Sequence, residues 1–565
     1  MNEFHDAQQD IAVHGARAGD FVRLGDTELV IRVESDDRQR GNELQIGFGK
    51  NARDGMGMQS TRPSQSCDVV ITNVLIIDAV QGIRVSSIGI REGRISAIGR
   101  SGNPDTMDDI EVVVGSGTVI IPGEGLIATA GGIDSHVHAM APRVCDAALS
   151  SGITTLISQE FGPFWGVGVG SAWALGHGHK QFAAWPLNVG ILGRGAGSTN
   201  APLFEALEGG VCGFKIHEDT GAHPRTLDTT LTFADEHDVA VALHTDGLNE
   251  MMHVEDTIAA IAGRAVHAYH VEGCGGGHAP DVLKLAGLNN ILASSTNPTL
   301  AFGINAADEH VAMIISAHGM NPELPSDIEI ARRRVRQATM AAENRLHDMG
   351  VIPVTSSDAL GMGRADDTWR KTFAMASMFA DRAILDGSVA PQDVVVENER
   401  VLRHVAKITI NPALVHGLSH EVGSLQVGLL ADIVLWPYRS FASKPNMVIK
   451  SGIPAWGVVG DPGSTVANAQ PLTISAQFGA FGASAAELGV HFTNSMSTAH
   501  VAGRRSVPVR NTRTIRGTDM VRHGVLGSID FDAHVDANDY TVRFNGDIIT
   551  CEPAQLTTLT RKYVI

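Results

Sequence analysis

Apolar runs and helix-like stretches alternate through the middle of the chain, and this alternation limits the possible folds more than any other feature. The helix-like stretches include "VEDTIAAIAG" and "IEIARRRVRQATMAAENRLHDMG". Eight strands alternating with helices predict an α/β fold, a (β/α)8 TIM-like barrel. The eight apolar runs end near His136, Ser158, Leu192, His217, His244, His270, Ser295 and Asp358.

A doubly wound open sheet is the structural alternative. The Gly-rich run "GCGGGH" at 273–278 is the feature that points to it. That run lacks the GxGxxG order at the first strand-to-helix turn, which a dinucleotide-binding sheet needs. We therefore interpret it as a tight loop.

Two separated segments have a different, β-rich character. Residues 67–99 and 423–437 consist of short apolar runs broken by turn residues, as consecutive strands do. We predict one β-rich domain in two parts, 1–128 and 423–467, flanking the (β/α)8 barrel at 129–422. Residues 468–565 are predicted to be a mixed segment for packing and subunit contacts.

Composition excludes several classes of protein. With 565 residues and a net charge of -19, the chain is a poor candidate for binding nucleic acid or anionic membranes. Its five cysteines are scattered without a CxxC pair, which argues against a disulfide framework or a zinc-cysteine site. Neither a secretion signal nor a membrane span is visible, so the expected location is the cytoplasm.

The predicted strand ends carry an unusual concentration of metal-binding side chains. The C-terminal ends of barrel strands converge on one face, so residues far apart in sequence meet there. Residues two apart on a strand point the same way, which pairs His136 with His138 and Lys215 with His217. The full set is His136, His138, Lys215, His217, His244, His270 and Asp358.

This set predicts a pair of divalent cations. A single histidine among the 24 in the chain is more often a surface or core residue than a ligand, but a cluster at successive strand ends is hard to explain that way. Imidazoles suit zinc, nickel, iron or cobalt, and Asp358 adds an anionic oxygen. A buried Lys215 beside cations would have a lowered pKa, and its neutral amine could take up CO2 as a carbamate that bridges both ions.

Several longer motifs resemble a known family. The segments "TAGGIDSHVH", "GFKIHED", "ALHTDGLNE", "YHVEGCGGGHAPD", "SSTNPT" and "SSDALGMGR" resemble the amidohydrolase superfamily, and specifically the large catalytic α subunit of urease. The segments "GDFVRLGDTEL", "RDGMG" and "INPALVHGLSHEVGS" extend the likeness over essentially the whole chain.

The resemblance implies roles for individual residues. It places His136, His138 and Asp358 on one metal and His244 and His270 on the other, with carbamylated Lys215 between them. His217 would hydrogen-bond the substrate carbonyl, Gly275 would lie against the substrate, and the flap residue His318 would transfer protons. Asp219 and Arg334 match the groups that support His318.

The implied activity is hydrolysis of urea, a substituted urea or a small urea-like amide by a hydroxide that bridges the metals. Nickel is the metal that the resemblance implies. The ligand set alone does not exclude zinc, iron or manganese.

The chain departs from the family around the predicted pocket. Ala317 stands where the urease flap has a cysteine, and Gly361 replaces an alanine near Asp358. In "SQEFGPFWGVGVGS", where ureases have a Gly- and Ala-rich loop, Trp165 replaces a small residue and Val169 matches an alanine whose carbonyl faces the substrate. These changes predict a reshaped pocket rather than neutral drift in loops.

Two other functions share parts of this pattern. A hydantoinase-like cyclic amidase has the same ligand layout but not the urease-like ends of the chain. A catalytically silent, structural urease-like subunit would have no need of six retained ligand positions.

The resemblance also implies partners. These are a small-molecule substrate, separate urease-like β and γ subunits, and metallochaperone accessory proteins, with a trimer of heterotrimers as the expected assembly.

Overall fold

Eight parallel strands run in sequence order around a barrel, as the alternation predicts. The first and eighth strands meet where Asp358 N–H donates to His136 C=O at 3.0 Å and His138 N–H donates to Ala359 C=O at 3.0 Å. The barrel strands are Gly132–Ala139, Ile153–Phe161, Asn188–Arg194, Gly213–Ile216, Ala240–His244, Val266–Tyr269, Ile291–Thr296 and Val354–Ser356.

The structure is a computed structural model, and it describes residues 14–60, 65–161, 168–217, 221–244, 254–274, 281–380, 394–460, 473–499, 501–533 and 540–560. No helix within these ranges has the length and apolarity needed to cross a membrane.

Helices around the barrel bury an apolar face in the protein interior. Asn398–Ile408 illustrates the pattern, since its buried Val401, Leu402, Val405 and Ile408 recur at helical spacing. The described α-helices are Arg143–Ser150, Ala172–Phe182, Ala201–Glu208, Pro224–His237, Val254–Ile261, Ala306–Ala317, Pro325–Arg334, Gln337–Met349, Thr368–Met378, Asn398–Ile408, Ile410–Val415 and Gly482–Leu488. Short 3-10 helices are Val282–Gly287, Asn297–Thr299, Ala365–Asp367, Tyr438–Ser440, Phe478–Ala480 and Gly517–Asp519.

A second, ten-stranded sheet is built from segments before and after the barrel. Leu126–Ala130 pairs antiparallel with Ile433–Pro437, so the two segments form one sheet, as predicted. The sheet also includes strand Thr473–Ala476, which lies beyond the predicted end of the domain at 467. The domain boundaries stay predictions. Its strands are Ser35–Asp36, Val69–Asp78, Gly82–Arg91, Arg94–Gly99, Val119–Pro122, Leu126–Ala130, Ile433–Pro437, Met447–Lys450, Ile453–Val459 and Thr473–Ala476.

The C-terminal segment packs directly on the barrel. Its strand His491–Thr493 pairs parallel with the third barrel strand and with Ser506–Pro508. The remaining strands form small sheets: Ile529–Ala533 with Tyr540–Phe544 and Asp547–Ile548, Phe21–Arg23 with Val30–Arg32, and Ser101–Gly102 with Val112–Val113.

Aromatic side chains join the barrel to the β-rich sheet. Trp369, from the helix after the eighth barrel strand, lies with its ring centroid 5.3 Å from that of Trp436 in the sheet. Phe441 packs against Trp436 and Phe373, and all four side chains are buried. Fully burying such large apolar side chains gains roughly 1.5–3 kcal/mol each. The two structural units therefore share one core.

A buried polar network crosses the same junction. Asp432 accepts a hydrogen bond from Asn188 Nδ2 in the third barrel strand at 2.7 Å, and from Ser451 N–H at 3.0 Å. The same carboxylate pairs with the ammonium of Lys450, which is 0% exposed. One carboxylate thus holds two sheets together.

Replacing Asp432 with Asn should destabilise the chain by about 3–5 kcal/mol, because Lys450 would be left buried without its counter-charge. A lower midpoint of thermal unfolding would report the loss. The control is Glu329→Gln, which breaks the ion pair between Glu329 and Arg333. These two side chains are 63% and 68% exposed, so the variant should lower the free energy of unfolding by less than about 1 kcal/mol. Equal effects of the two variants would contradict this view of the network.

Candidate metal centre

Three side chains gather where the barrel closes. His136 and His138 lie on the first strand, and Asp358 follows the eighth. Asp358 Oδ1 is 3.4 Å from His136 Nε2 and 3.2 Å from His138 Nε2. Each of the three residues offers one ligand atom, these atoms lie within 4.8 Å of one another, and all three residues are buried. The cluster has the ligand types and the spacing for one divalent cation.

A second histidine group lies beside the first. His270 Nε2 and His244 Nδ1 are 2.9 Å apart, at the ends of the sixth and fifth strands. The His217 ring centroid is 3.9 Å from that of His244, and the His270 centroid is 5.6 Å from that of His136. The strand ends therefore bring the two groups together, as the barrel geometry requires.

Lys215 is buried among these rings. It is 1% exposed, and its ammonium lies 3.9 Å from the centroid of the Tyr269 ring. That ring stacks on His136 with a centroid distance of 3.8 Å, and its hydroxyl donates to Ser135 C=O at 2.7 Å. Tyr269 thus forms a wall that Lys215 and His136 share.

Two of the ligand candidates have a backbone conformation that is unfavourable for their residue type. The φ angles of His270 and Asp358 are +33° and +57°. A left-handed conformation costs a non-glycine residue roughly 1–2 kcal/mol, and such residues cluster at functional sites. At His270 this turn breaks the strand's alternation, so that Tyr269 and His270 both reach the site although they are consecutive.

Burial keeps three of these histidines neutral. The pKa of His136 lies well below its usual value, first because of burial and then because of nearby Lys215. Burial, followed by the proximity of His244, similarly lowers the pKa of His217 and of His270. A neutral imidazole is the form that binds metal.

Several of these nitrogen atoms are buried without a hydrogen bond to any described residue. They are both ring nitrogens of His136 and the Nδ1 atom of His270. Leaving buried polar atoms unbonded is costly, and a metal ion satisfies such lone pairs. The donor set therefore fits a binuclear metal centre.

Comparison with known proteins decides the family. Residues 127–455 match the model of the amidohydrolase family, and residues 5–121 match that of the urease alpha-subunit N-terminal domain. A urease subunit alpha 1 from Streptomyces avermitilis is 55% identical over 98% of this chain and 99% of its own length. The chain belongs to the urease alpha-subunit family.

More distant urease alpha subunits match over the same span. The one from Sulfurisphaera tokodaii is 43% identical over 98% of both chains. Among solved structures, a D-hydantoinase aligns with a TM-score of 0.46 at 17% identity, over 69% of this chain and 95% of its own.

Membership defines the general chemistry. The chain is a urease-type amidohydrolase, a hydrolase that acts on C–N bonds other than peptide bonds, with a binuclear metal centre, a small-molecule substrate and other urease subunits as partners. These relatives favour neither a cyclic amidase nor a catalytically silent subunit.

The predicted flap, helices Ala306–Ala317 and Pro325–Arg334 on either side of His318, packs on the loop that carries Asp358. Ile314 and Ala331 of the flap contact Met362, and partly buried Ala317 belongs to the same apolar cluster. His318 follows the first helix and its Nδ1 lies 3.1 Å from Ile314 C=O, while Arg334 is buried at the end of the second.

The pocket residues predicted from the sequence are only partly described. Val169 is buried, and its carbonyl accepts a hydrogen bond from Arg194 N–H at 3.1 Å. Gly361 lies beside Asp358 and donates its N–H to the Asp358 carbonyl at 3.1 Å. Trp165, Asp219 and Gly275 lie outside the described residues.

Four buried residues near the centre were not found by sequence reasoning. Tyr269 forms the wall beside Lys215, and Gln159 Nε2 lies 2.7 Å from His138 Nε2. Asp134 accepts hydrogen bonds from Ser357 N–H, and burial raises the pKa of this carboxyl to about 7. His310 of the first flap helix has Nε2 3.0 Å from Cys274 C=O. Tyr269 and Asp134 lie close in sequence to ligand positions and His310 lies close to His318, which is a weak signal without the fold. Gln159 lies 21 residues from His138 and had no such signal.

A methyl group at position 363 should disturb the metal centre. The Cβ of Gly363→Ala would lie 1.8 Å from the Ser357 carbonyl oxygen and 2.7 Å from Asn297 Oδ1, so the backbone that carries Asp358 must move. We expect at least about tenfold weaker binding of one metal ion, as when a group that orients a ligand is lost. Calorimetric titration of the metal-free chain measures the effect.

Gly176→Ala is the matched control for Gly363→Ala, because a Cβ at position 176 meets nothing within 4 Å. Identical metal affinities in the two variants would show that the added methyl group does not displace Asp358, and would contradict the prediction.

Proposed function

We propose that this chain hydrolyses urea or a substituted urea, with His136, His138 and Asp358 holding one metal ion and His244 and His270 holding the other. The observation that carries the proposal is the convergence of these buried donors around Lys215. When bound, the two ions would polarise the substrate carbonyl and lower the pKa of water to near neutrality.

Lys215 would bridge the two groups as a carbamate. Its neutral amine attacks CO2 at carbon, forms an N–C bond and releases a proton, and thereby converts a cation into an anion with two oxygen atoms. This role is supported by the burial of Lys215, which lies beside histidines such as His136 whose pKa is lowered. An ammonium that stays charged is unfavourable in such a place. The carbamate would supply the negative charge that keeps two cations together.

His217 would orient the substrate. Its ring is 3% exposed and stays neutral because burial lowers its pKa, so it can donate one hydrogen bond to a carbonyl oxygen. His318 would protonate the leaving nitrogen, with Asp219 and Arg334 in support. Gly275, Val169, Gly361 and Trp165 would line the substrate pocket.

We further propose nickel as the metal and metallochaperones as the route by which it arrives. Separate β and γ subunits in a trimer of heterotrimers would complete the assembly, in the cytoplasm. This proposal is supported by the similarity to whole-length urease alpha subunits and by five cysteines that are all free.

Replacing Lys215 with Met should reduce urea hydrolysis by at least about a thousandfold and leave less than one tightly bound metal per chain, because no bridging anion can form. Metal analysis after reconstitution measures this, and wild-type loading should require added bicarbonate. Lys444→Met, a partly exposed lysine elsewhere, serves as the control. Two tightly bound metals in Lys215→Met would contradict the bridging role.

Substrate range tests the reshaped pocket. The chain, purified with its β and γ subunits, should hydrolyse at least one of alkylureas, carbamates or biuret at a rate comparable to that for urea. Ala317→Cys, which restores the flap residue of other ureases, should shift the preference toward urea, because a larger side chain narrows the flap. Efficient turnover of urea and of none of the larger compounds would refute the reshaped pocket. An unchanged substrate profile in Ala317→Cys would show that Ala317 has no role in substrate choice.

A further inference from the structure

Gln159 occupies an irregular position in the second barrel strand. Val137 pairs with Ser158, but the next residue, His138, pairs with Glu160, so Gln159 is the extra residue of a β-bulge. Bulges at barrel rims redirect a side chain that the strand alternation would point elsewhere. Here the redirected side chain is 1% exposed and lies beside a metal ligand.

The terminal amide of Gln159 contacts the metal-binding face of His138. Its Nε2 atom is 2.7 Å from His138 Nε2, the same ring nitrogen that lies 3.2 Å from Asp358 Oδ1. The other amide atom, Oε1, is buried and has no hydrogen bond to any described residue. One end of the amide therefore reaches the donor cluster, and the other end has no competing interaction.

The chemistry of the amide determines what this contact becomes once a cation is present. An amide nitrogen has no lone pair for a metal, whereas an amide oxygen is a neutral, hard donor. A half-turn of the terminal torsion exchanges the two atoms within nearly the same volume. The exchange places oxygen toward the cluster and moves the NH2 group to the position of Oε1, so the bond that the oxygen makes to a cation must offset the hydrogen bond that Nε2 loses.

We propose that Gln159 is an additional oxygen ligand of the ion held by His136, His138 and Asp358. The inference rests on the proposed metal centre and deepens it. Beside these three residues and the proposed Lys215 carbamate, a neutral fifth side-chain donor raises the coordination number without changing the net charge of the site. It also fills space beside His138, in a segment where other ureases have small residues, and so contributes to the altered pocket.

Cobalt provides a test that does not depend on activity. The full-length chain is stripped of metal, supplied with bicarbonate and titrated with Co2+ against a chromophoric competitor, and its visible absorption is recorded. Gln159→Met keeps the length of the side chain but removes the oxygen donor. It should weaken one of two sites by about 10- to 100-fold and intensify the cobalt absorption, since intensity rises as coordination number falls.

Two further variants make the result decisive. Gln159→Glu keeps an oxygen donor and adds charge, so it should bind Co2+ at least as tightly as the wild type. Thr155→Val, on the same strand and bonded to Asn188 rather than to a ligand, should leave both affinity and spectrum unchanged.

The outcomes separate this inference from the proposed function. If the wild type binds two ions and Gln159→Met matches it in affinity and spectrum, Gln159 is not a ligand although the centre exists. Equal weakening in Gln159→Glu and Gln159→Met would also overturn the inference, because the oxygen donor would then be irrelevant. If the wild type binds no pair of ions, the proposed centre itself fails, and Gln159 with it.

Discussion

The hydrogen bonds that close the barrel also build its metal-binding cluster. Asp358 N–H bonds to His136 C=O and His138 N–H bonds to Ala359 C=O, so the backbone of the ligand candidates joins the first strand to the last. Beneath them, the Asp134 carboxylate accepts Ser357 N–H across the same join. A barrel that failed to close would separate His136 and His138 from Asp358. Folding and assembly of the site are therefore one event.

Sequence reasoning predicted the parts that follow from periodicity. The alternation of apolar and helical segments predicted eight strands, and the structure has them where they were expected. The two-residue repeat of a strand correctly placed His136 and His138 on the same side. The position of Tyr269 did not follow, because the positive φ at His270 breaks the alternation. Gln159 was missed for a related reason. A β-bulge redirects its side chain, and the sequence shows no pattern that predicts this bulge.

The irregular backbone is concentrated at the site. Regular strands can present only every second side chain to the barrel interior, which limits how many donors one rim can hold. Left-handed turns at His270 and Asp358 and the bulge at Gln159 bring extra side chains inward. Around Asp358 the surrounding backbone supports this strain, because the N–H groups of Gly361 and Gly363 both donate to the Asp358 carbonyl.

Packing of the flap on Met362 connects two equilibria. Met362 lies four residues after Asp358, and Gly361 and Gly363 tie their N–H groups to the Asp358 carbonyl, so this loop is short and internally bonded. If the carboxylate shifts when it takes up a cation, the surface offered to the flap changes as well. Thermodynamic linkage then requires reciprocity: whatever free energy the ion contributes to flap closure, closure contributes equally to retention of the ion. A substrate that holds the flap shut would for that reason tighten the equilibrium binding of the metal.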